Sequence, residues 1–138
     1  MTPGVGCGVV LRRGDRILLI RRRRPPEAGA WGLVGGKVDF LEHAIDAARR
    51  ECLEESGIRA GALSLLGVSE QLMDDEAQHW VSLIFLAEGF EGEPVLAEPE
   101  KHSELGWFAP DALPSPLCRA VRDALALLGS TRDRRAAG

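Results

Sequence analysis

Strand-like segments interleaved with two helical ones predict an α/β sandwich built on a mixed sheet. Three observations carry that reading. Apolar, β-rich runs recur at residues 4–12, 15–21, 61–72, 78–88 and 105–109, with turn residues between them. Residues 41–56 place Leu41, Ile45, Ala48 and Cys52 within about 60° of one another at roughly 100° per residue, the pattern of a helix buried along one side. Residues 116–129 repeat the pattern with Leu117, Ala120, Val121, Ala124 and Leu128.

Taken in order, GVGCGVVLR (4–12) and DRILLIR (15–21) read as two strands of a hairpin around Arg13-Gly14-Asp15. The stretch from Arg22 to Ala30, with Pro25-Pro26 and Gly29, is a loop. Trp31-Gly32-Leu33-Val34 is a short strand that feeds Gly35-Gly36. The first helix has Asp39 as candidate N-cap, Glu42 as its capping-box partner and Gly57 as the residue that ends it. Two longer strands follow, separated by Asp74-Asp75-Glu76, which is expected to be a solvated acidic loop. Glu91 to Glu100 carries a glycine, two prolines and four acids and reads as a loop before the Leu105–Ala109 strand. Pro116 suits the first turn of the second helix, and the Arg-rich tail, about 130–138, is expected to fray.

Length and composition bound the function. The 138 residues predict one domain, 1–138, and 45% hydrophobic residues supply an ordinary core. A net charge of −4 argues against a nucleic-acid polymer as partner, although phosphates bind to a negative protein when metal ions intervene. Cys7, Cys52 and Cys118 are odd in number, far apart and outside any CxxC, which supports neither a disulfide framework nor a zinc site and points to a reducing, cytoplasmic compartment. No signal-like amino terminus and no run near 18 apolar residues occurs, so no membrane association is expected. The oligomeric state stays open, a homodimer being one option.

The chemistry gathers on the first helix. Glu51, Glu54 and Glu55 lie three and four residues apart and stack on one side, where like charges repel. Glu55 falls about 50° from the centre of the buried stripe and Glu51 about 90° away on the same side. Ionised groups at that margin need a partner, and a divalent cation is the natural one. A few oxygen ligands on one element suit magnesium, which keeps several waters and takes other ligands from substrate phosphates; manganese fits the same shell. Two readings stand for Glu42, a structural cap or a functional group. Arg50 and Glu54, four apart, also read as an ordinary surface pair.

Gly36, Glu42, Arg50, Glu51, Glu54, Glu55, Gly57 and Ile58 together match the Nudix box, which here spans 36–58, so the chain resembles the Nudix (MutT-type) hydrolase family. Cys52 stands where the family usually has an aliphatic residue, and Val34 replaces a frequent proline; neither departure touches a carboxylate. The resemblance implies the Nudix fold, an α/β/α sandwich with a mixed sheet. It also implies an enzyme that hydrolyses a nucleoside diphosphate linked to another group by attack of water on phosphorus. By position, Glu51, Glu54 and Glu55 with the Gly35 carbonyl would ligate Mg²⁺ or Mn²⁺, and Glu42 and Arg50 would orient them. Family members differ over the general base. Here the candidates are Glu51 and the loop residues Glu98, Glu100 and Glu104, of which Glu100 is favoured as extra ligand or base.

Outside the box, HWVSLIF (79–85), GEP (92–94), EPEK (98–101) and GWFAPDALPSPL (106–117) are similar to the small nucleoside-triphosphate diphosphatases of that family. The chain has no tyrosine, and Gln71, Leu72 and Met73 stand where the ADP-ribose branch usually has a proline. The expectation is cleavage of a small-molecule nucleoside triphosphate to monophosphate and pyrophosphate, a nucleotide clean-up reaction. Hydrolysis of a nucleotide sugar or another X-linked diphosphate is the alternative. A non-catalytic nucleotide sensor fits less well, because the box carboxylates are all retained.

For substrate contacts, Arg22 in the basic run Arg21–Arg24 is taken as a phosphate binder, and its three neighbours as a solvated cluster. Trp31, Phe40 and Trp80 are candidates for stacking on a base, with burial in the core as the competing role. His43, His79 and His102 share no ligand spacing; His79, beside Trp80, has substrate contact or a structural role as alternatives.

Overall fold

Alternation along the strands sends consecutive side chains to opposite faces, and in this chain both faces are covered. The computed structural model describes the backbone of residues 1–137 and the side chains of residues 1–130. The elements are β1 (Gly4–Val10), β2 (Arg12–Arg13), β3 (Arg16–Arg22), β4 (Trp31–Gly32), β5 (Val34–Lys37), α1 (Ala44–Ser56), β6 (Arg59–Met73), a 3₁₀ turn (Asp74–Glu76), β7 (Gln78–Glu91), β8 (His102–Phe108) and α2 (Arg119–Ala137).

One sheet has the order β5-β1-β7-β6, with β1 antiparallel to β5 but parallel to β7, so it is mixed. A second sheet centres on β3, antiparallel to β2, β4 and β8. Val9, Leu11, Leu18, Ile20, Phe85 and Ala87 point to one side and meet Ala47, Ala48 and Cys52 of α1. Their neighbours Val10, Ile17, Leu19, Ile84 and Leu86 point the other way and meet Val121 and Ala124 of α2. The result is the α/β/α sandwich with a mixed sheet that the resemblance implied. Each fully buried aliphatic side chain in it contributes roughly 1.5–3 kcal/mol. No helix among the described residues is long and apolar enough to cross a membrane.

Several boundaries differ from the sequence reading, each for a reason. The single strand expected over 4–12 is divided: β1 joins the mixed sheet, while β2 makes a tight hairpin with β3 around Gly14, at φ +65°. The strand expected over 31–34 is divided likewise, β4 pairing with β3 and β5 with β1. Local propensity makes both segments extended, but partner choice is a tertiary matter.

Helix α1 starts at Ala44, with His43 as an N-cap that makes no side-chain cap bond, rather than near residue 41 with Asp39 as cap. Leu41 is left-handed (φ 65°), so Asp39 to Glu42 close a separate turn in which the Glu42 N–H donates to the Asp39 carbonyl (3.1 Å). The reciprocal bond of the expected capping box is nevertheless present, from the Asp39 N–H to Glu42 Oε1 at 3.0 Å. Leu41 is 90% exposed and Ile45 37%, so the buried stripe runs instead through Ala47, Ala48, Cys52 and Glu55. That rotation draws the carboxylate side of α1 further into the protein than helix geometry alone suggested.

Helix α2 begins at Arg119, not Pro116, because residues 116–118 are held extended against β4. The Trp31 N–H donates to the Pro116 carbonyl (2.9 Å) and the Cys118 N–H to the Trp31 carbonyl (2.8 Å). Its helical backbone continues to Ala137, where fraying from about 130 was expected; the side chains beyond Ser130, and Gly138, lie outside the described residues. The acidic segment 74–76 is docked rather than merely solvated, since Glu76 accepts the Glu27 N–H at 3.0 Å and Asp75 lies 4.0 Å from Arg119.

Gly35, in β5, is required by close approach: a Cβ there would lie 2.1 Å from the Cys7 carbonyl oxygen and 2.8 Å from the Gly8 Cα. Relief needs movement of the β1 backbone. Gly35→Ala is expected to lower the melting temperature by roughly 10 °C, read in a thermal melt; an unchanged melt would refute the packing argument.

Candidate active site

The site forms where the carboxylate side of α1 meets β5 and the loop before β8. Glu55 is 7% exposed, and its Oε1 accepts the Gly35 N–H at 2.7 Å. Its Oε2 lies 3.3 Å from Nε2 of His102, which is itself 3% exposed. Gly36 leaves room for the next carboxylate, since a Cβ there would sit 2.6 Å from Glu51 Cδ. Glu55, Glu98 and His102 bring one ligating atom each within 4.8 Å of the others, the one such group of three among the described residues.

Arg50 organises the helix edge. Its Nε and Nη2 take both oxygens of Glu42, at 2.9 and 3.0 Å, in a fork-to-fork pair. Its Nη1 reaches Glu51 (3.0 Å) and Glu54 (3.3 Å), and its Nη2 also lies 3.4 Å from Asp39. One guanidinium thus faces four acids. The Glu42 hydrogen bond is the main reason the arginine holds its proton above its ordinary range, and the same bond pulls the Glu42 carboxyl below its own. Glu51 shows the opposite behaviour: burial and then the charge of Glu55 push its carboxyl up despite Arg50. The negative charge is under-compensated by the chain itself, and the donors are hard oxygens beside one imidazole, a set suited to a hard divalent cation.

The candidates proposed from sequence fare unequally. Glu51, Glu54 and Glu55 line one side of α1, although Glu54 is half exposed and pairs with Arg50. Of the three loop glutamates, Glu98 is the one brought to Glu55 and His102. Glu100 is exposed on the same turn, and Glu104 pairs with Arg21 at 3.1 Å. Arg22 lines the cavity, its Nε anchored on the Pro26 carbonyl at 2.6 Å.

Two neighbours of Arg22 are anchored on the chain, Arg21 partly buried and Arg23 while remaining exposed as expected. Arg21 donates to the Gly29 carbonyl and sits over the Trp31 ring, and Arg23 donates to the Pro99 carbonyl. Among the aromatics, Trp31 takes the competing role of a core residue, 8% exposed and edge-on to Phe108. Phe40 is 93% exposed on the turn before α1. Trp80 lines the cavity, with its indole N–H held by Gln78.

The cavity, about 260 Å³, is walled by Arg22, Lys37, Glu55 and His102, and on the β6–β7 side by Gln71, Met73, Trp80 and Ser82. Sequence reasoning missed His102, Lys37, Gln71 and Ser82. A signal for the first existed: Glu98 and His102 are four apart, and the His102 N–H donates to the Glu98 carbonyl (3.1 Å), the spacing of one helical turn. The three cysteines are free and buried, and burial raises Cys7 and Cys52 to about 11 and Cys118 to about 12, so none is a nucleophile candidate.

The NUDIX domain family model matches residues 2–128. A crystal structure of a MutT NUDIX hydrolase from Burkholderia pseudomallei superposes with a TM-score of 0.89 at 50% identity, covering 92% of this chain and 98% of that one. An oxidized purine nucleoside triphosphate hydrolase of Danio rerio is 35% identical over 106 residues, 77% of this chain and 66% of its own length. An ADP-ribose pyrophosphatase of Methanocaldococcus jannaschii is 32% identical over 102 residues, 74% of this chain and 60% of its own. The match therefore spans less than two-thirds of these two relatives.

Proposed function

The chain belongs to the NUDIX family, and on that premise we propose that it is a pyrophosphohydrolase cleaving a nucleoside triphosphate to the monophosphate and pyrophosphate. The observation that carries this reading is the under-compensated carboxylate edge of α1, Glu51, Glu54 and Glu55, beside a cavity that Arg22 and Lys37 also line. The residues fitted to hold Mg²⁺ or Mn²⁺ are Glu51, Glu54, Glu55 and the Gly35 carbonyl, with Glu98 and His102 as additions from β8 and its preceding loop. Such an ion, when bound, neutralises phosphate oxygens and sharpens the electrophilicity of phosphorus.

The remaining work falls to the chain. Arg22 and Lys37 supply positive charge for the phosphates, which must lie in line with an attacking water. Arg50 and Glu42 hold the directions of Glu51 and Glu54 through charge-assisted hydrogen bonds. Removal of a proton from that water is assigned to a carboxylate, and Glu98, Glu51 and Glu100 are its candidates in that order. Relatives named for oxidized nucleotides support a clean-up role against modified nucleotides, a small-molecule activity without a nucleic-acid polymer or membrane partner.

One relative named for ADP-ribose favours a second reading, hydrolysis of an X-linked nucleoside diphosphate. A panel of nucleoside triphosphates, oxidized nucleotides, ADP-ribose and nucleotide sugars, incubated with purified protein and Mg²⁺, separates the two through products. Pyrophosphate plus monophosphate is the expected result. Monophosphate plus a sugar phosphate would favour the second reading, and no cleavage of any member would overturn both.

A further inference from the structure

The β6–β7 side of the cavity carries a polar chain that the phosphate chemistry leaves unused. Gln71, Ser82 and Ser69 are buried, at 5%, 8% and 1% exposure, and Gln71 and Ser82 line the cavity. Gln71 Nε2 donates to the Ser69 carbonyl (3.1 Å) and to Ser69 Oγ (2.6 Å). Ser69 Oγ donates in turn to Asp123 Oδ2 on α2 at 2.5 Å. Ser82 Oγ lies 3.1 Å from Gln71 Oε1.

The end groups fix the direction of every bond in this chain. A peptide carbonyl and a carboxylate only accept. The Ser69 hydrogen is therefore committed to Asp123, and the Gln71 amide nitrogen donates to Ser69. The Gln71 carbonyl oxygen is then turned to Ser82 and takes that hydroxyl's single hydrogen. What the pair has left over for a ligand is lone pairs alone, on Ser82 Oγ and on Gln71 Oε1.

Access to them depends on Gly6, which faces Ser82 across the β1–β7 pairing and lines the same cavity. A Cβ at Gly6 would lie 2.7 Å from Ser82 Oγ and cover it.

We propose that Ser82 and Gln71 form an acceptor-only reader of the nucleobase, favouring bases that present an exocyclic amino group and disfavouring those with a carbonyl at the same place. This rests on reading the cavity as a nucleotide site and adds the specificity that reading lacks. The physical ground is that an amino group satisfies both buried acceptors. A carbonyl leaves them facing another acceptor, and sites built around substrate N–H groups discriminate strongly against such analogues. Asp123, remote from substrate, is a positioning residue that keeps the Ser69 hydrogen from the amide of Gln71.

The test uses matched pairs, dCTP with dUTP, dATP with dITP and dGTP with dXTP, in steady-state kinetics on the intact protein. In at least one pair the amino member is expected to be favoured by roughly tenfold or more in kcat/KM. Ser82→Ala is expected to bring that ratio below about threefold, and Gly6→Ala to do the same by covering the hydroxyl, with melting curves reporting that each variant is folded. Equal rates within every pair, preference for the carbonyl member, or a ratio unmoved in folded S82A would overturn the proposal.

Binding of the corresponding monophosphates by calorimetry needs no turnover and keeps the two ideas apart. Amino preference in binding without cleavage would support the reader and contradict the proposed reaction; cleavage without preference would do the reverse.

Discussion

Replacing Glu55 by glutamine is expected to lower kcat/KM by about three orders of magnitude, since one carboxylate ligand governs several kcal/mol of charge stabilisation at the reacting phosphate. The fold should not suffer. Glutamine keeps an oxygen for the Gly35 N–H and removes the like charge that helps push the Glu51 carboxyl up, so the melting temperature is expected to hold or rise. Glu54→Gln is expected to show the same loss of rate through a more exposed position. Normal turnover by either folded variant would refute the ligand assignment, whereas loss of rate together with loss of fold would make Glu55 a structural residue.

Arg50→Ala is the second large effect. It leaves Asp39, Glu42, Glu51 and Glu54 without their shared cation, so a fall in melting temperature of about 5–10 °C and a rate loss of about 10- to 100-fold are expected together. Arg50→Lys restores the charge but not the two-pronged contact with Glu42, and is expected to recover only part of either.

The pH dependence has a definite sign. Hydrogen bonding to Arg50 holds the Glu42 carboxyl below its ordinary value. A depressed carboxylate stabilises the fold above the ordinary carboxyl range and loses that contribution as pH falls through the depressed value. The gap in melting temperature between wild type and Arg50→Ala should therefore be wide near neutrality and narrow in acid. A gap that widens in acid would contradict the pairing.

Much of the candidate site was readable because the proposed chemistry needs fixed residue types at fixed helical spacing: Glu51, Glu54 and Glu55 on one side of α1, Arg50 beside them, and the two glycines of β5. What the sequence hid was set by distant partners. Leu41 and Ile45 fit the buried stripe by angle, but the left-handed turn at Leu41 delays α1 and turns both outward. Residues 4–12 and 31–34 each look like one strand, and only the sheets decide that each serves two. His102 carries no motif and reaches Glu55 from β8, more than forty residues along the chain. Trp31 has the composition of a stacking residue and the position of a core one. The Gln71–Ser82 pair is ordinary as sequence and acquires meaning only from the β6–β7 register and from Asp123 on α2.

On the proposed reading, the carboxylate edge of α1 is a divalent-cation site. Titration of the purified protein with Mn²⁺, followed by electron paramagnetic resonance of the free ion, addresses it without need of a substrate. Saturable binding that Mg²⁺ competes away, and that weakens at least about tenfold in Glu55→Gln, is the expected result. Absence of binding by the wild type, or equal binding by the folded Glu51→Gln, Glu54→Gln and Glu55→Gln variants, would show that this edge of α1 is not the cation site.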